Sequence, residues 1–302
     1  MRITGNGAAA ALLLTFICSL PTKLEAQARP SASELSKQSQ NPVGSLAAVP
    51  FQFNFNTGGF LQDRTVLVLN FQPVIPFRLN DNFNVIIRPI VPYVNVPLLF
   101  GQSESGFGDV QTQLFVAPSK GELIWGIGPS LSFPTATNGF VSTGSWAAGP
   151  NAVLSLSTGH WVLGVLARNL WTFSDDGDLI DEVDFLDIDA LDRLDDDREV
   201  NDLLIQPFIN WNFGVGWSLA TAPVITANWD ADGGDQWTVP LGMGISRTSV
   251  LGTHPIILAA HYYKNIVRPD FGPDDQVRLQ INFLLPKAPA RPSANDHNSD
   301  KR

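Results

Sequence analysis

Charged residues are scarce in this chain: they make up 16% of its 302 residues, whereas a soluble domain usually contains about a quarter. Long apolar runs are also missing, since beyond the N-terminus no window approaches the ~18 apolar residues that a membrane-spanning helix needs. Nevertheless, 44% of the residues are hydrophobic and 10% are aromatic. Apolar residues are therefore abundant but interleaved with polar ones. This pattern argues against a helical membrane protein and favours a β protein with an apolar surface.

Cysteine occurs once in the sequence, as Cys18. Residues 1–28 are predicted to be a secretory signal peptide, with a positively charged start, an apolar stretch at 8–20 and an Ala26-Gln27-Ala28 cleavage site. Cleavage would leave no cysteine, which excludes disulfides, thiol nucleophiles and thiolate metal sites. A lipoprotein, the alternative use of Cys18, would need a small residue at position 17, and Ile17 is not small.

The formal net charge of −10 is concentrated in one segment. Residues 175–202 hold fourteen acidic and two basic residues, a charge of −12, so the remainder of the chain carries +2. No stretch is basic enough for a nucleic-acid-binding surface, which excludes nucleic acid as a partner. The acidic residues are predicted to belong to an external loop at 174–201.

Alternation of apolar and polar residues is the dominant pattern. In 51–56 three phenylalanines alternate with three amides, and in 277–283 four apolar residues alternate with Arg278, Gln280 and Asn282. A period of two gives each strand one apolar and one polar face. The segments of this kind are 49–58, 65–79, 83–97, 108–119, 123–135, 146–157, 161–173, 202–213, 217–229, 237–249, 255–267 and 275–286. The predicted fold is all-β, a closed antiparallel transmembrane β-barrel of about twelve strands.

The connections between the predicted strands alternate in length. The short ones cover 80–82, 120–122, 158–160 and 214–216, and the longer ones cover 59–64, 98–107, 136–145, 174–201, 230–236 and 268–274. Short periplasmic turns opposite longer external loops are typical of outer-membrane barrels, whereas a β-sandwich has no reason to alternate in this way. Residues 49–287 are therefore predicted to form the barrel, with a flexible arm at 29–48 before it and a disordered tail at 288–302 after it.

Ten prolines fit this assignment badly, because proline inside a strand removes a hydrogen-bond donor from the ladder. They are Pro73, Pro76, Pro89, Pro92, Pro129, Pro134, Pro150, Pro207, Pro223 and Pro240. β-Bulges would accommodate some of them.

Several short segments of the sequence match those of a known family. They are NPV at 41–43, VPFQ at 49–52, QPVIPF at 72–77, GDVQTQLF at 108–115, LIWGIGP at 123–129, FPTAT at 133–137, ITANW at 225–229 and WTVP at 237–240. Over residues 41–287 the chain resembles outer-membrane barrels that are labelled as transporters or assigned to the meta-pathway of phenol degradation. The resemblance implies a barrel in the bacterial outer membrane that admits small hydrophobic or aromatic compounds, and it implies no catalytic residues. The acidic segment is longer than the family pattern, so no role is carried over to it.

Polar side chains on the inward face of a barrel line its lumen and set the selectivity of a channel. The predicted lining residues are Arg78, Arg88, Arg278, Asn70, Gln72, Gln111 and Gln113. A charge that faces lipid at mid-depth costs ~2–4 kcal/mol, which favours an inward orientation of the arginines. These arginines would act either as a selectivity element or only as groups that solvate the interior.

The acidic loop offers one candidate metal site. Asp175, Asp176 and Asp178 carry carboxylates that are suitable ligands for calcium. Their spacing does not match an EF-hand loop, and the apolar residues among the aspartates also fit an amphipathic helix. An ordered calcium site and a solvated acidic loop without a ligand are the two alternatives. No other cofactor is predicted.

Residues for catalysis are sparse, and the chain is predicted not to be an enzyme. Of the four histidines only His261 lies within a predicted strand. No serine is tied to it by spacing, as a Ser-His-acid site would require. No two histidines have the spacing of metal ligands.

The predicted function is passive uptake of a small solute, of hydrophobic or aromatic character, through an outer-membrane channel. One alternative is a plugged structural or surface-interaction barrel whose external loops bind ions, lipopolysaccharide or a partner. Another is a secreted, soluble β-sandwich. The predicted partners are outer-membrane lipid, lipopolysaccharide and the solute, and the barrel is predicted to be a monomer.

Overall fold

The structure is a computed structural model that describes residues 31–59, 64–98, 102–175, 200–251 and 254–285. Its elements are α1 (Ala32–Ser39), β1 (Ala47–Thr57), β2 (Val66–Phe71), β3 (Ile75–Arg78), β4 (Phe83–Pro97), β5 (Ser103–Phe107), β6 (Val110–Pro118), β7 (Leu123–Phe133), β8 (Ser145–Thr158), β9 (Trp161–Asp175), β10 (Asn201–Phe213), β11 (Trp217–Thr221), β12 (Ile225–Asn228), β13 (Trp237–Leu251), β14 (His254–Val267) and β15 (Asp275–Leu285). Within these ranges no helix has the length and apolar character that crossing a membrane requires.

The strands form one closed antiparallel ring. From β1 the hydrogen-bonded order runs through β2, β4, β6, β7, β8, β9 and β10, then through β11 with β12, β13, β14 and β15. The ring closes where β15 pairs with β1, from Leu285 opposite Ala47 to Asp275 opposite Thr57. Three wall strands are interrupted, so β2 with β3, β5 with β6, and β11 with β12 each form one strand of the wall. The wall therefore has twelve strands, which confirms the predicted fold.

The wall has an apolar outer face and a more polar inner face. On β7, Trp125 and Ile127 point outward and are 39% and 57% exposed, whereas Ser130 and Ser132 point inward and are 0% and 3% exposed. The same alternation holds on β15, where Leu279 is exposed and Arg278 is buried. A soluble sandwich would bury the apolar face instead. The observed polarity matches a wall that is solvated by lipid outside, so the soluble β-sandwich is excluded.

Some of the prolines that fitted the prediction badly lie where the ladder is broken. Pro73 occupies the gap between β2 and β3, and Pro223 the gap between β11 and β12. Pro240 lies at a register shift between β13 and β14. Proline is tolerated at these points because a chain that leaves the ladder needs no amide donor there.

The short connections lie at one end of the barrel, together with the first residue of β1 and the last residue of β15. Gly159, Gly214 and Gly216 in two of these turns have positive φ values of 52°, 56° and 74°, a conformation that tight hairpin turns require and glycine adopts without strain. The longer connections lie at the opposite end. This arrangement confirms the alternation predicted from connection lengths, and we call the two ends the short-turn end and the loop end.

The described part of the predicted flexible arm is packed against the barrel rather than free. Helix α1 begins with a capping box, in which the Ser31 hydroxyl accepts from the Glu34 backbone N–H and the Glu34 carboxylate accepts from the Ser31 N–H. Such a box satisfies two amide groups at a helix start. Leu35 and Ser36 on α1 are buried. We refer to residues 31–46, which run from this cap to the start of β1, as the N-terminal segment.

Candidate functional site: the barrel lumen

Helix α1 contacts inward-facing residues at the short-turn end of the barrel. The Ser36 hydroxyl donates to the Asn212 side-chain oxygen at 3.0 Å, and the Gln40 amide donates to the same oxygen at 3.0 Å and to the Ser218 hydroxyl at 3.2 Å. Lys37 donates to the backbone oxygen of Gly159 in a short turn. The N-terminal segment therefore lies inside the lumen and is anchored there by its polar residues.

An apolar cluster covers part of the inner wall next to the N-terminal segment. Its buried members are Val43, Ile86, Phe115, Ala117, Ile124, Val153, Val162, Leu166 and Phe208. All except Val43 project inward from β4 and from β6 to β10. The inner face was predicted to be polar, so this apolar cluster was not expected from the sequence. The signal was present, because Phe115 and Ala117 continue the inward series that begins with Gln111 and Gln113.

A polar layer lies two residues nearer the loop end than the apolar cluster, on β4, β6 and β9. Arg88 Nη1 donates to Gln113 Oε1 at 3.1 Å, and Arg168 Nη2 donates to Gln111 Oε1 at 3.0 Å. Three of these residues were predicted to line the lumen. Arg168 was missed, although its position in the alternation of β9 places it inward. We call Arg88, Arg168, Gln111 and Gln113 the arginine layer.

A second polar group surrounds Arg278. Its guanidinium donates to Asn54 Oδ1 at 3.0 Å, to Gln276 Oε1 at 2.9 Å and to the backbone oxygen of Ala222 at 3.0 Å. It also lies 4.9 Å from the centre of the Tyr263 ring, in a cation–π contact. Arg278 therefore has acceptors on all sides, and it ties β15 to the interruption between β11 and β12.

The remaining predicted lining residues differ in position. Gln72 donates to Gln52 Oε1 at 3.1 Å, and Asn70 lies opposite Gln52 across β1 and β2, so both belong to the half-buried inner wall. The structure places Arg78 elsewhere. It ends β3 at the rim of the barrel, its side chain is 66% exposed, and it pairs with Asp81 of the next turn. Alternation alone could not show this, because it gives the face of a strand and not the depth.

Asp109, which the sequence analysis did not single out, organises the loop end. Its carboxylate accepts hydrogen bonds from the backbone N–H groups of Thr135, Ala136 and Thr143, at 3.0, 3.1 and 2.7 Å. It also accepts from the hydroxyls of Ser142 and Thr143. Asp109 is 8% exposed. It thereby holds the connection between β7 and β8 against the interruption between β5 and β6.

Only one of the three candidate calcium ligands lies within the described residues. Asp175 ends β9, whereas Asp176 and Asp178 lie outside the described residues. In the part of the chain that the structure describes, no group of three or more His, Cys, Asp or Glu side chains could hold a metal ion. Calcium binding by the acidic loop stays a prediction.

A closed ring of twelve strands with an apolar outside and a polar lumen defines an integral β-barrel of the bacterial outer membrane. Among solved structures, the chain is similar to an outer membrane channel from Pseudomonas putida F1, with 14% identity over 81% of this chain and 97% of the other and a TM-score of 0.58. It is also similar to the NanC porin, with 12% identity over 79% and 100% of the two chains and a TM-score of 0.44. No family model matches the chain, and no curated protein is similar to it in sequence.

The prediction that the chain is not an enzyme is wrong as it was made. The similar structures include an enzyme, outer membrane phospholipase A from Escherichia coli, with 12% identity over 86% of this chain and 100% of the other and a TM-score of 0.40. His261, the histidine considered for a hydrolase site, is buried and stacks on Tyr263 with ring centres 6.0 Å apart.

Proposed function

We propose that the chain is an outer-membrane channel for passive uptake of a small solute of hydrophobic or aromatic character. The observation that carries this proposal is the inner wall, where the apolar cluster lies beside the arginine layer. Phe115 and Phe208 are buried in a cluster with Val43 while the N-terminal segment is docked, and they would line the lumen once it is displaced. A lumen that only had to be solvated would need no such inward side chains, because they are costly in a water-filled pore and favourable next to an apolar solute. The proposal includes membership in the phenol-degradation barrel family, which the matching short segments of the sequence support.

Conductance and uptake together test this function. Purified full-length protein in planar bilayers is expected to show single-channel currents, and liposomes that contain it are expected to take up small aromatic solutes faster than protein-free liposomes. A closed barrel should also migrate differently on a gel before and after boiling, which checks that the sample is folded. A folded sample with neither current nor uptake would contradict the proposal.

A second candidate function is a plugged barrel whose external loops are its working part. The observation that favours it is the N-terminal segment, which is anchored to Asn212 and Ser218 inside the lumen. The two functions differ in one result. A plugged barrel should stay closed to ions and solutes under all conditions, and it should still bind lipopolysaccharide or a partner through its loop end.

We further propose that the barrel acts as a monomer among outer-membrane lipids, and that loop 174–201 binds calcium shared with lipopolysaccharide phosphates. The fourteen acidic residues between 175 and 202 support this, because dense carboxylates attract divalent cations. Calcium titration of the detergent-solubilised protein, compared with a variant in which Asp175, Asp176 and Asp178 are asparagine, tests it. Equal calcium binding by both proteins would argue against this site.

A further inference from the structure

Among the described residues, two arginines of the lumen, the buried Arg168 and the half-buried Arg88, have no carboxylate in an ion pair. The ion pairs among the described residues are Arg78–Asp81, Lys264–Asp275 and Arg268–Asp274, and none of them includes Arg88 or Arg168. A buried charge without a counter-charge is costly, and proteins rarely keep one without a use. The arginine layer therefore carries an excess of positive charge inside the barrel.

The same arginines have hydrogen-bond donors that no group in the described part of the chain accepts. Arg88 Nε, Arg168 Nε and Arg168 Nη1 are buried and have no partner. Arg168 as a whole is only 8% exposed. Arg278, by contrast, has an acceptor at Nε, Nη1 and Nη2. Since buried donors are almost always satisfied, the free donors of the arginine layer indicate a missing acceptor.

The two guanidinium groups are held close to each other. Their acceptors, Gln111 and Gln113, lie two residues apart on the inward face of β6, a separation of about 7 Å along the strand. Arg168 reaches them from β9, across the width of β7 and β8. It thereby spans three strand spacings on the inner side of the wall, so the arginine layer projects into the lumen there.

The apolar cluster lies next to the arginine layer on each strand. Ile86 is two residues from Arg88, Phe115 is two residues from Gln113, and Leu166 is two residues from Arg168, with each pair on the same face. The wall therefore places polar residues of the arginine layer and apolar residues about 7 Å apart along each strand, and the apolar ones are buried in a cluster with Val43 while the N-terminal segment is docked. This spacing suits a ligand with an anionic head and a small apolar body.

We propose that Arg88 and Arg168 form a binding subsite for the carboxylate of a small apolar monocarboxylate. This inference rests on the proposed uptake function and names the class of solute. Gln111 and Gln113 now occupy one donor of each guanidinium. A carboxylate would replace these neutral acceptors and engage the free donors as well, because charge-assisted hydrogen bonds are roughly twice as strong as neutral ones. The apolar body of the solute would then take the place of Val43 of the N-terminal segment against Phe115 and its neighbours.

Among the described residues, the carboxylate of Asp202 on β10 lies near this subsite. Asp202 is two residues from Leu204, which pairs with Arg168, although Asp202 and Arg168 form no ion pair. Asp202 offsets part of the charge of Arg168, whereas no described carboxylate pairs with Arg88. The subsite is therefore expected to hold one monoanion, and a dianion would be disfavoured by Asp202.

Binding to the purified full-length barrel in detergent tests the subsite without relying on transport. Isothermal titration with benzoate is expected to show saturable binding. Benzamide, which is neutral and of the same shape, and acetate, which lacks the apolar body, are expected to bind about tenfold more weakly or worse. Equal binding of benzoate and benzamide would overturn the role of charge. Equal binding of benzoate, acetate and inorganic phosphate would overturn the role of the apolar body.

Variants locate the binding on the two arginines. Arg88→Gln and Arg168→Gln are each expected to weaken benzoate binding by about tenfold or more, and Arg168→Lys, which keeps the charge, should weaken it less. Arg247→Gln is the matched control, because Arg247 lies on the outer wall over Trp217 and its loss changes the net charge equally. Unchanged binding in both arginine variants would refute the assignment. If a glutamine variant fails the gel-shift test for folding, Arg168→Lys and the comparison of benzoate with benzamide decide instead.

The result can be separated from the proposed function. Benzoate binding by a barrel that passes neither ions nor solutes would support the subsite and contradict the channel. Conductance without benzoate binding would support the channel and refute the subsite.

Discussion

Leu35→Ala tests whether apolar packing holds the N-terminal segment in the lumen. Leu35 on α1 is 4% exposed, and it packs in a cluster with Leu46, Ala48, Ile257 and Leu284. In a displaced segment the leucine side chain would be in water. The substitution should therefore destabilise the docked state relative to the displaced state and should leave the barrel wall unchanged.

The size of the effect follows from the burial of this side chain. Replacing a buried leucine by alanine costs ~2–5 kcal/mol, which includes the cavity that is left. We expect about 2–3 kcal/mol, the lower part of that range, because the small cluster at the barrel end can partly collapse into the space. Such a loss shifts the balance between docked and displaced segment by roughly 30- to 150-fold.

Two measurements report this shift. Channel recordings should show a larger or more frequent open state for Leu35→Ala than for the unmodified protein. Trypsin should cut faster after Lys37, because Lys37 is bound to the Gly159 oxygen only while the segment is docked. Gln38→Ala is the control, since Gln38 is exposed on the same helix. If Leu35→Ala matches this control in both measurements, packing of Leu35 does not hold the segment.

Three further predictions concern the wall and the loop end. Asp109→Ala removes the acceptor of three backbone N–H groups and should release the connection between β7 and β8. Chymotrypsin should then cut faster after Phe140, which is already 50% exposed, and unchanged cleavage would argue against a role of Asp109 in holding this connection. Gly149→Ala should prevent or weaken barrel closure, because its Cβ would overlap a backbone carbonyl of β9, whereas Gly233→Ala meets no atom within 4 Å and should fold normally, as the gel-shift will show. Arg278→Ala removes the donor of three hydrogen bonds and the cation–π contact with Tyr263, and it should lower the stability of the barrel by about 2–4 kcal/mol, measured by loss of the gel-shift on heating. A stability change below about 1 kcal/mol would contradict the importance of this group.

The twelve-strand wall could be predicted from sequence because a strand with one face toward lipid has a simple pattern of alternating apolar and polar residues. Each strand must alternate, as β15 does with Val277, Leu279 and Ile281 outside, and short turns such as those at Gly159 and Gly214 use glycine with positive φ. The interruptions were harder to predict. Pro73 and Pro223 were recognised as misfits, but a misfit does not show which way the chain leaves the ladder.

The contents of the lumen could be predicted only in part. Arg88, Gln111 and Gln113 were found because they are polar residues in an otherwise apolar alternation. The apolar cluster was missed because Phe115 follows the polar Gln111 and Gln113 on the inward face of β6. In the sequence, an apolar residue on a polar face looks the same as a strand whose bounds are wrongly placed by one residue. The N-terminal segment was missed because α1 is short and polar, and its position depends on contacts with distant residues such as Asn212.

The interruption between β11 and β12 has a consequence for how the barrel comes apart. On β13, the backbone pairs with β11 over Gly244–Arg247 and with β12 at Trp237 and Thr238. Between these stretches β13 stays paired with β14 but has no ladder contact with β11 or β12 among the described residues. Side chains of Tyr263 and Arg278 hold Ala222 there instead. Side-chain contacts are lost one at a time, whereas a ladder is lost cooperatively. Among the strands of the wall, the amide hydrogens at the boundary between β13 and the interruption of β11 and β12 should therefore exchange first. Mechanical or thermal rupture of the barrel should begin at the same boundary.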